Sequence, residues 1–324
     1  MDRRAFAAAC LSSIVCFAAP AAAIAAEKKA KIGFLSWFPP TMNVDLTHFR
    51  EGMEQYGHVE GRDYTIEPYF VGGDAALART AAEKLVGEPV DILVVEATPA
   101  IHIAKKATAT IPIVMETANA LATGLVQSLA HPGGNITGVS LLMTDLAGKR
   151  LSLLREMRPN LSAVAFLGST RDPNAQTFVR ETQDAAKQLG VRLSVRLVDG
   201  PEAIDQATFT AMKAEGDEAV IVQPIFTGYQ DKIVPLAMKA GLPTVSDWAA
   251  FADAGALFSY GASQGALVKR LGYYVDRILK GAKPGDLPIE QPEEFEFVIN
   301  ARAAAKLAWT IPPVLKIRAD RVIE

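Results

Sequence analysis

From Lys31 onward, short runs rich in β-branched and aliphatic residues alternate with segments of helical periodicity, and the whole alternation happens twice. A strand that is followed by a helix and then by another strand returns to its sheet in parallel, so the pattern predicts an α/β fold with helices on both faces of each sheet. The first set of strands is expected at 31–36, 64–70, 91–95, 111–115 and 135–140, the second at 162–167, 191–197, 218–222, 242–245 and 256–259. Matching positions keep a near-constant offset: Ile32 to Val164 is 132 residues, Ile92 to Val220 is 128, and Pro112 to Pro243 is 131. That constancy predicts two similar doubly wound lobes of one topology. The length of 324 residues agrees, because a single core rarely keeps growing beyond about 300 residues.

Helix signals sit between these runs. Asn43 is placed to cap a helix whose apolar stripe is Leu46, Phe49, Met53 and Tyr56, with Gly57 ending it. Asp74 opens a second helix through Leu77, Ala81 and Leu85, and Thr98-Pro99 reads as a cap followed by an N1 proline. After the tenth strand a helix over 263–280 carries Leu267, Leu271, Tyr274 and Ile278 on one side, and a Pro/Gly-rich stretch to Pro288 leads to a further strand at 294–298 and an Asn300-capped helix. The chain would then cross between lobes three times, giving lobe one as 27–140 plus 262–288 and lobe two as 141–261 plus 289–324. Three linking strands make a joint that bends well and twists poorly.

The residues before Lys31 have a different character. Arg3-Arg4 precede an apolar run from Ala5 to Pro20, and then a small-residue stretch ends at Ala26 before Glu27-Lys28-Lys29. Positive, apolar and small in that order is the pattern of a secretory signal, and the run is shorter than the roughly 20 residues needed to span a bilayer. Segment 1–26 is therefore expected to be removed on export to the periplasm, by the general or the twin-arginine route. Both cysteines, Cys10 and Cys16, lie inside it, so thiolate catalysis, zinc-thiolate and iron–sulfur chemistry are excluded for the mature chain. With 33 Lys+Arg against 36 Asp+Glu there is no reason to expect nucleic acid as a partner.

Open α/β sheets bind ligands beyond the C-terminal ends of their strands. That rule selects Ser36, Trp37, Glu96, Thr98, Glu116, Thr117 and Asn119 from the first lobe, and from the second the loops 169–174, 223–226 and 246–248, with Thr170, Arg171, Gln223, Phe226, Asp247 and Trp248 as the leading candidates. Thr98, at a helix start, is either a carboxylate-binding group or only a helix cap. Trp37, Trp248 and Phe226 could sandwich a flat apolar ligand, and the acidic Glu96, Glu116 and Asp247 could pair with an ammonium group. Arg171 would hold a ligand carboxylate or face solvent. On this reading Asp247→Ala weakens binding with little loss of stability.

Several words in fixed order then become recognisable: Ala97-Thr98-Pro99-Ala100, Ile-Pro-Ile-Val at 111–114, Gly-Leu-Val-Gln-Ser-Leu at 124–129, Pro-Gly-Gly-Asn-Ile-Thr-Gly-Val-Ser at 132–140, Ile-Leu-Lys-Gly at 278–281, Asp286-Leu287-Pro288, and Ile311-Pro312 with Val322-Ile323 in the tail. In these the chain resembles the tryptophan/tyrosine-type substrate-binding proteins of ABC transporters, over nearly all of its mature length. The resemblance implies a bilobal type I periplasmic binding protein that closes on a small molecule and presents it to a membrane permease, acting as a monomer without cofactor or metal. Where such proteins usually carry an Asp-Pro pair after the fourth strand, this chain has Glu116-Thr117-Ala118-Asn119.

Enzyme signatures are missing from the sequence. His48, His58, His102 and His131 are scattered, and neither a Walker phosphate loop nor a Gly-x-Ser-x-Gly elbow occurs. No catalytic residue is assigned. A glycosidase-like pairing of Glu96 with Glu116 is the enzyme alternative, and a receptor feeding a membrane sensor is the second.

Overall fold

The structure is a computed structural model that describes residues 29–88 and 90–324. The segment read as an export signal lies outside the described residues. Five strands, β1 (Ala30–Ser36), β2 (Tyr64–Phe70), β3 (Ile92–Glu96), β4 (Ile113–Thr117) and β5 (Ile136–Ser140), form one parallel sheet in the order β2-β1-β3-β4-β5. Between them lie α1 (Val44–Glu54), α2 (Ala75–Gly87) and α3 (Thr98–Ala107). The chain then passes through α4 (Ala147–Met157) into a second sheet. That half contains β6 (Ala163–Ser169), α5 (Ala175–Leu189), β7 (Arg192–Val198), α6 (Gln206–Ala214), β8 (Val220–Val222), α7 (Gln230–Lys239), β9 (Thr244–Ser246), α8 (Ala249–Asp253) and β10 (Phe258–Ala262). Last come α9 (Gln264–Leu279), β11 (Phe295–Asn300), α10 (Ala301–Lys306), α11 (Pro313–Arg318) and β12 (Arg321–Ile323).

The second sheet runs β12-β11-β10-β9-β8-β6-β7. Its β7-β6-β8-β9-β10 part repeats the strand order of the first sheet, as the constant sequence offset predicts. The repetition extends into the cores. Phe34 of β1 packs on Phe49 of α1 at 5.9 Å between ring centres, and Phe166 of β6, 132 positions later, packs on Phe178 of α5 at 6.4 Å. Strands β3, β4, β5 and β6 are buried along their whole length, because helices cover both faces. Edge strand β2 is partly exposed and tolerates Pro68, whose missing N–H would break a central ladder. The second sheet gains β11, antiparallel to β10, and β12, parallel to β11. Strand β12 has three residues, too few for any periodicity to mark it in sequence.

Helix signals fared unevenly. Asp74 caps α2 as expected, its carboxylate accepting the Ala76 and Leu77 amides. Asn43 makes no side-chain cap, and Tyr56 lies beyond the end of α1. Leu77, expected on the apolar stripe of α2, is 55% exposed.

The chain leaves the first sheet after β5 and returns to it as α9, which packs against α1 and against β4 and β5. Helices α1 and α9 touch backbone to backbone. A Cβ on Gly272 would lie 2.5 Å from the Gly52 carbonyl carbon, and one on Gly52 would run into the Lys269 carbonyl. Glycine is required there by approach distance alone. The later passage of the chain docks beside β5: the Ser140 amide donates to the Glu290 carbonyl at 2.9 Å and the Glu290 amide to the Gly138 carbonyl at 3.1 Å. Arg270 of α9 holds the Glu290 carboxylate with two 2.6 Å hydrogen bonds. At the first passage Leu142 adopts a left-handed backbone, φ 55°, a conformation that L-residues avoid. Among the described residues no helix is long and apolar enough to cross a membrane.

Candidate functional site

Parallel strands all finish on one side, so each sheet delivers its loops to one edge, and the two loop edges meet. Between them remains a cavity of about 30 Å³, bounded by Phe38, Thr98 and Glu116 on one side, by Asp172, Ile225 and Trp248 on the other, and by Met143 at the first passage between the halves. A space of that size has room for little more than a water molecule. A larger solute requires the loop edges to separate.

Direct hydrogen bonds hold the edges together. The Asn174 side-chain amide, at the start of α5, donates to Thr98 Oγ1 at 2.7 Å, and Thr98 Oγ1 meets Thr117 Oγ1 at 2.7 Å. The Arg171 guanidinium donates to the Gly73 carbonyl at 3.0 Å, and the Tyr229 hydroxyl to the Gly72 carbonyl at 2.9 Å. Gly228, φ 87°, lies so near Pro39 that a Cβ would come within 2.5 Å of its ring. Both the backbone angle and the approach require glycine.

Thr98 does not cap a helix. Ala97 occupies the cap position with φ 69° and ψ 140°, and Thr98 is the first residue of α3, with no side-chain cap hydrogen bond. Its hydroxyl is thereby free to join Thr117 and Asn174. Ala97 carries a backbone strain of about 1–3 kcal/mol, of the kind that collects at ligand sites.

The strand-end residues divide by what they touch. Thr98, Glu116 and Trp248 line the cavity, and Thr117 backs Thr98. Trp37, Phe226 and Arg171 line a separate, smaller space of about 10 Å³. Phe38 and Ile225 border both spaces and stand between them, so Trp37 and Trp248 do not face one cavity as an aromatic sandwich would need. Ser36 is buried, its hydroxyl accepting the Phe38 amide at 3.3 Å. Asn119 bonds the Thr144 hydroxyl and the Ala122 amide, and Thr170 is exposed beside Asp199. Gln223 is an internal brace, accepting the Ser169 amide and donating to Asp172 Oδ2 at 2.6 Å. The Arg171 side chain is held by Asp199 and Glu202 as well as by Gly73, so it neither faces open solvent nor has a free fork for a ligand carboxylate.

Asp247 has a partner that sequence did not suggest. Arg150 of α4 lies 2.5 Å from Asp247 Oδ1, and both side chains are only 1% exposed. The contact is a buried ion pair. The same nitrogen of Arg150, Nη1, also donates to the Tyr260 carbonyl at 3.0 Å, Nη2 donates to the Met143 carbonyl at 2.8 Å, and Nε is buried without a partner. Sequence reasoning did not select Phe38 or Tyr229, and it took in Asp172 and Ile225 only as members of the loops 169–174 and 223–226 without singling them out. Asp172 lies three residues beyond the end of β6, inside the loop that the strand-end rule selects.

Burial governs the carboxyl groups. It pushes Asp172 up to about 6, against the hydrogen bonds of Asn174, and Asp247 up to about 7, against the charge of Arg150. Glu96, Glu116 and Asp45 are raised by burial first; the charge of Asp45 raises the other two further, and that of Glu116 also raises Glu96. Each group binds its proton more tightly folded than unfolded, so its contribution to stability is full below about pH 4 and is lost as pH rises through the raised values. The exposed Asp63, lowered to about 2 by Arg62, acts only at lower pH. The melting temperature of the unliganded protein is therefore expected to fall between about pH 5.5 and about pH 8.5, measured by differential scanning fluorimetry; a rise over that window would contradict the assignment. The Arg150 pair also reverses the expectation for Asp247→Ala. Leaving a buried guanidinium unpaired should cost about 3–5 kcal/mol in denaturant unfolding, and an unchanged midpoint would show that Arg150 is otherwise satisfied.

The model of a family described as ABC transporter substrate binding protein matches residues 39–323. A tyrosine-binding protein of Clostridioides difficile is 23% identical over 262 residues, covering 81% of this chain and 75% of the relative. Among solved structures, a conserved domain protein from Vibrio cholerae superposes with a TM-score of 0.85 at 26% identity, covering 91% of this chain and all of the other. An ABC domain from Streptococcus pneumonia in complex with L-Trp gives 0.83 at 28% identity, again over 91% of this chain and all of the other. Superposition over 91% of the chain takes in both α/β halves, and the chain belongs to the ABC transporter substrate-binding protein family.

Proposed function

We propose that the chain is the solute-capturing component of an ABC importer: exported to the periplasm with loss of residues 1–26, it acts as a monomer and delivers a small organic solute to a membrane permease. The solute enters between the loop edges and is enclosed when lobe one (27–140 plus 262–288) and lobe two (141–261 plus 289–324) bend together. The observation that carries this reading is the hydrogen bond from Asn174 to Thr98 across a cavity to which both halves contribute walls. Trp248 and Phe38 offer flat apolar surface, Met143 and Ile225 adaptable apolar surface, and Thr98 and Glu116 polar anchors. The relatives named for tyrosine and solved with L-Trp support a solute of amino-acid size with an aromatic body. A solute that contacts both halves favours the closed arrangement by its extra affinity for it.

The family is one of binding proteins, and the site reads the same way. Glu96 and Glu116 are adjacent register partners buried on one sheet, not carboxylates facing each other across a bound sugar. Calorimetric titration with L-tryptophan, L-tyrosine, aromatic carboxylates, amines and sugars tests the reading. Saturable one-to-one binding by at least one of them is expected, weakened by roughly tenfold or more in both Trp248→Ala and Asn174→Ala, because each removes a cleft contact worth about 1–3 kcal/mol. Binding that survives both substitutions unchanged would place the solute elsewhere.

A further inference from the structure

The walls of the cleft carry acid without base. Glu116, at the end of β4, and Asp172, after β6, line the cavity from opposite halves, and both are at least nine-tenths buried. Their hydrogen bonding differs. Asp172 is fully engaged: Oδ1 accepts the Asn174 amide at 2.9 Å and its side-chain amide at 3.4 Å, and Oδ2 accepts Gln223 Nε2 at 2.6 Å. Glu116 Oε2 is buried and has no hydrogen-bond partner. Behind Glu116, its register partner Glu96 is fully buried, and neither of its oxygens meets hydrogen-bond geometry although the Ser36 hydroxyl is close by. Asp45 of α1 adds a third carboxyl, with Oδ1 unpaired and Oδ2 accepting Gln264 Nε2 at 3.3 Å.

Among the described residues, no lysine, arginine or histidine forms an ion pair with any of these four acids, and no grouping of them suits a metal ion. The buried Arg150 is committed to Asp247. A ligand carboxylate fares worse here than an amine would. The start of α3 has lost one amide donor to Pro99, and the Thr98 hydroxyl is already bonded to Thr117 and Asn174. Buried acceptors without partners are costly, and the group that satisfies them best brings donors and positive charge together.

We propose that the cleft selects its solute through a protonated amine seated on Glu116 Oε2 between the two halves, so that an ammonium-bearing solute binds far better than its deaminated counterpart. The inference rests on the importer reading and narrows it to a chemical class: amines and amino acids, with the nitrogen as the recognised end. Charge balance follows. In the free protein burial and the mutual repulsion of Asp45, Glu96 and Glu116 favour protonated carboxyls, and no other charged group shifts Glu96 or Glu116. An arriving ammonium takes the place of a proton, so affinity for an amine falls as pH is lowered.

The test compares three indole probes on the mature protein by calorimetry: tryptamine, which keeps only the amine, indole-3-propionate, which keeps only the carboxylate, and L-tryptophan, which has both. Tyramine, 3-(4-hydroxyphenyl)propionate and L-tyrosine form a second set. In at least one set, an amine-bearing member is expected to bind at least about tenfold more tightly than the deaminated acid, and the difference should vanish in Glu116→Gln. Glu116→Gln keeps the shape and removes the cost of holding a proton on a buried carboxyl, so its melting temperature should not fall. Glu116→Asp, which retains the charge on a shorter arm, should recover part of the preference. The inference is overturned if the deaminated acids bind as tightly as the amine-bearing probes, if none of the amine-bearing probes binds, or if a well-folded Glu116→Gln keeps the preference. Tight cleft binding of an acid or a sugar would overturn the ammonium assignment and leave the importer reading standing.

Discussion

One hydrogen-bonded chain, Asn174 to Thr98 to Thr117, explains why the two halves can meet at all. Each of these groups is buried, and a buried polar group without a partner costs about 1–3 kcal/mol. In an opened cleft water would supply the partners, so closing exchanges one set of hydrogen bonds for another at little net change. A nearly balanced joint of that kind is what a small solute can tip. The strained backbone at Ala97 belongs to the same device, because it starts α3 one residue early and turns the Thr98 hydroxyl away from helix capping and into the cleft.

The duplicated topology supplies the geometry. Two sheets that share a five-strand order present the C-terminal edges of those strands to each other, and the chain weaves between them through the return of α9 and the docking of 287–290 beside β5. The close Gly52–Gly272 approach fixes α9 to the first half so firmly that bending must occur in the short crossings, where Leu142 already sits in an unusual backbone conformation. Stiff bodies joined by short links make closure a rigid motion.

Most of the architecture was legible in the sequence, because strands buried on both faces leave unbroken apolar runs and the constant offset of Phe34 and Phe166 repeats a whole packing motif. Strand β12 was not, since three residues carry no period. The strand-end rule placed Thr98, Glu116 and Trp248 at the cavity but could not tell them from Gln223, Arg171 and Asp247, whose positions are equivalent. What separates the two groups is partners from distant sequence: Gly73 for Arg171, Asp172 for Gln223 and Arg150 for Asp247. Arg150 has no local signal, being one cation on a helix whose neighbours are ordinary; only the three-dimensional fold makes it the counter-charge of Asp247.

The account depends on the halves moving toward each other around a solute. With no cysteine left after residue 26, a spin label can be attached at Leu121→Cys in the first half and Val195→Cys in the second, both exposed in the structure. The distance distribution between the labels, measured by double electron–electron resonance, should be broad in the free protein and should collapse to the shorter, single distance of the closed arrangement when a binding solute is added. An identical distribution with and without a bound solute would contradict capture by closure.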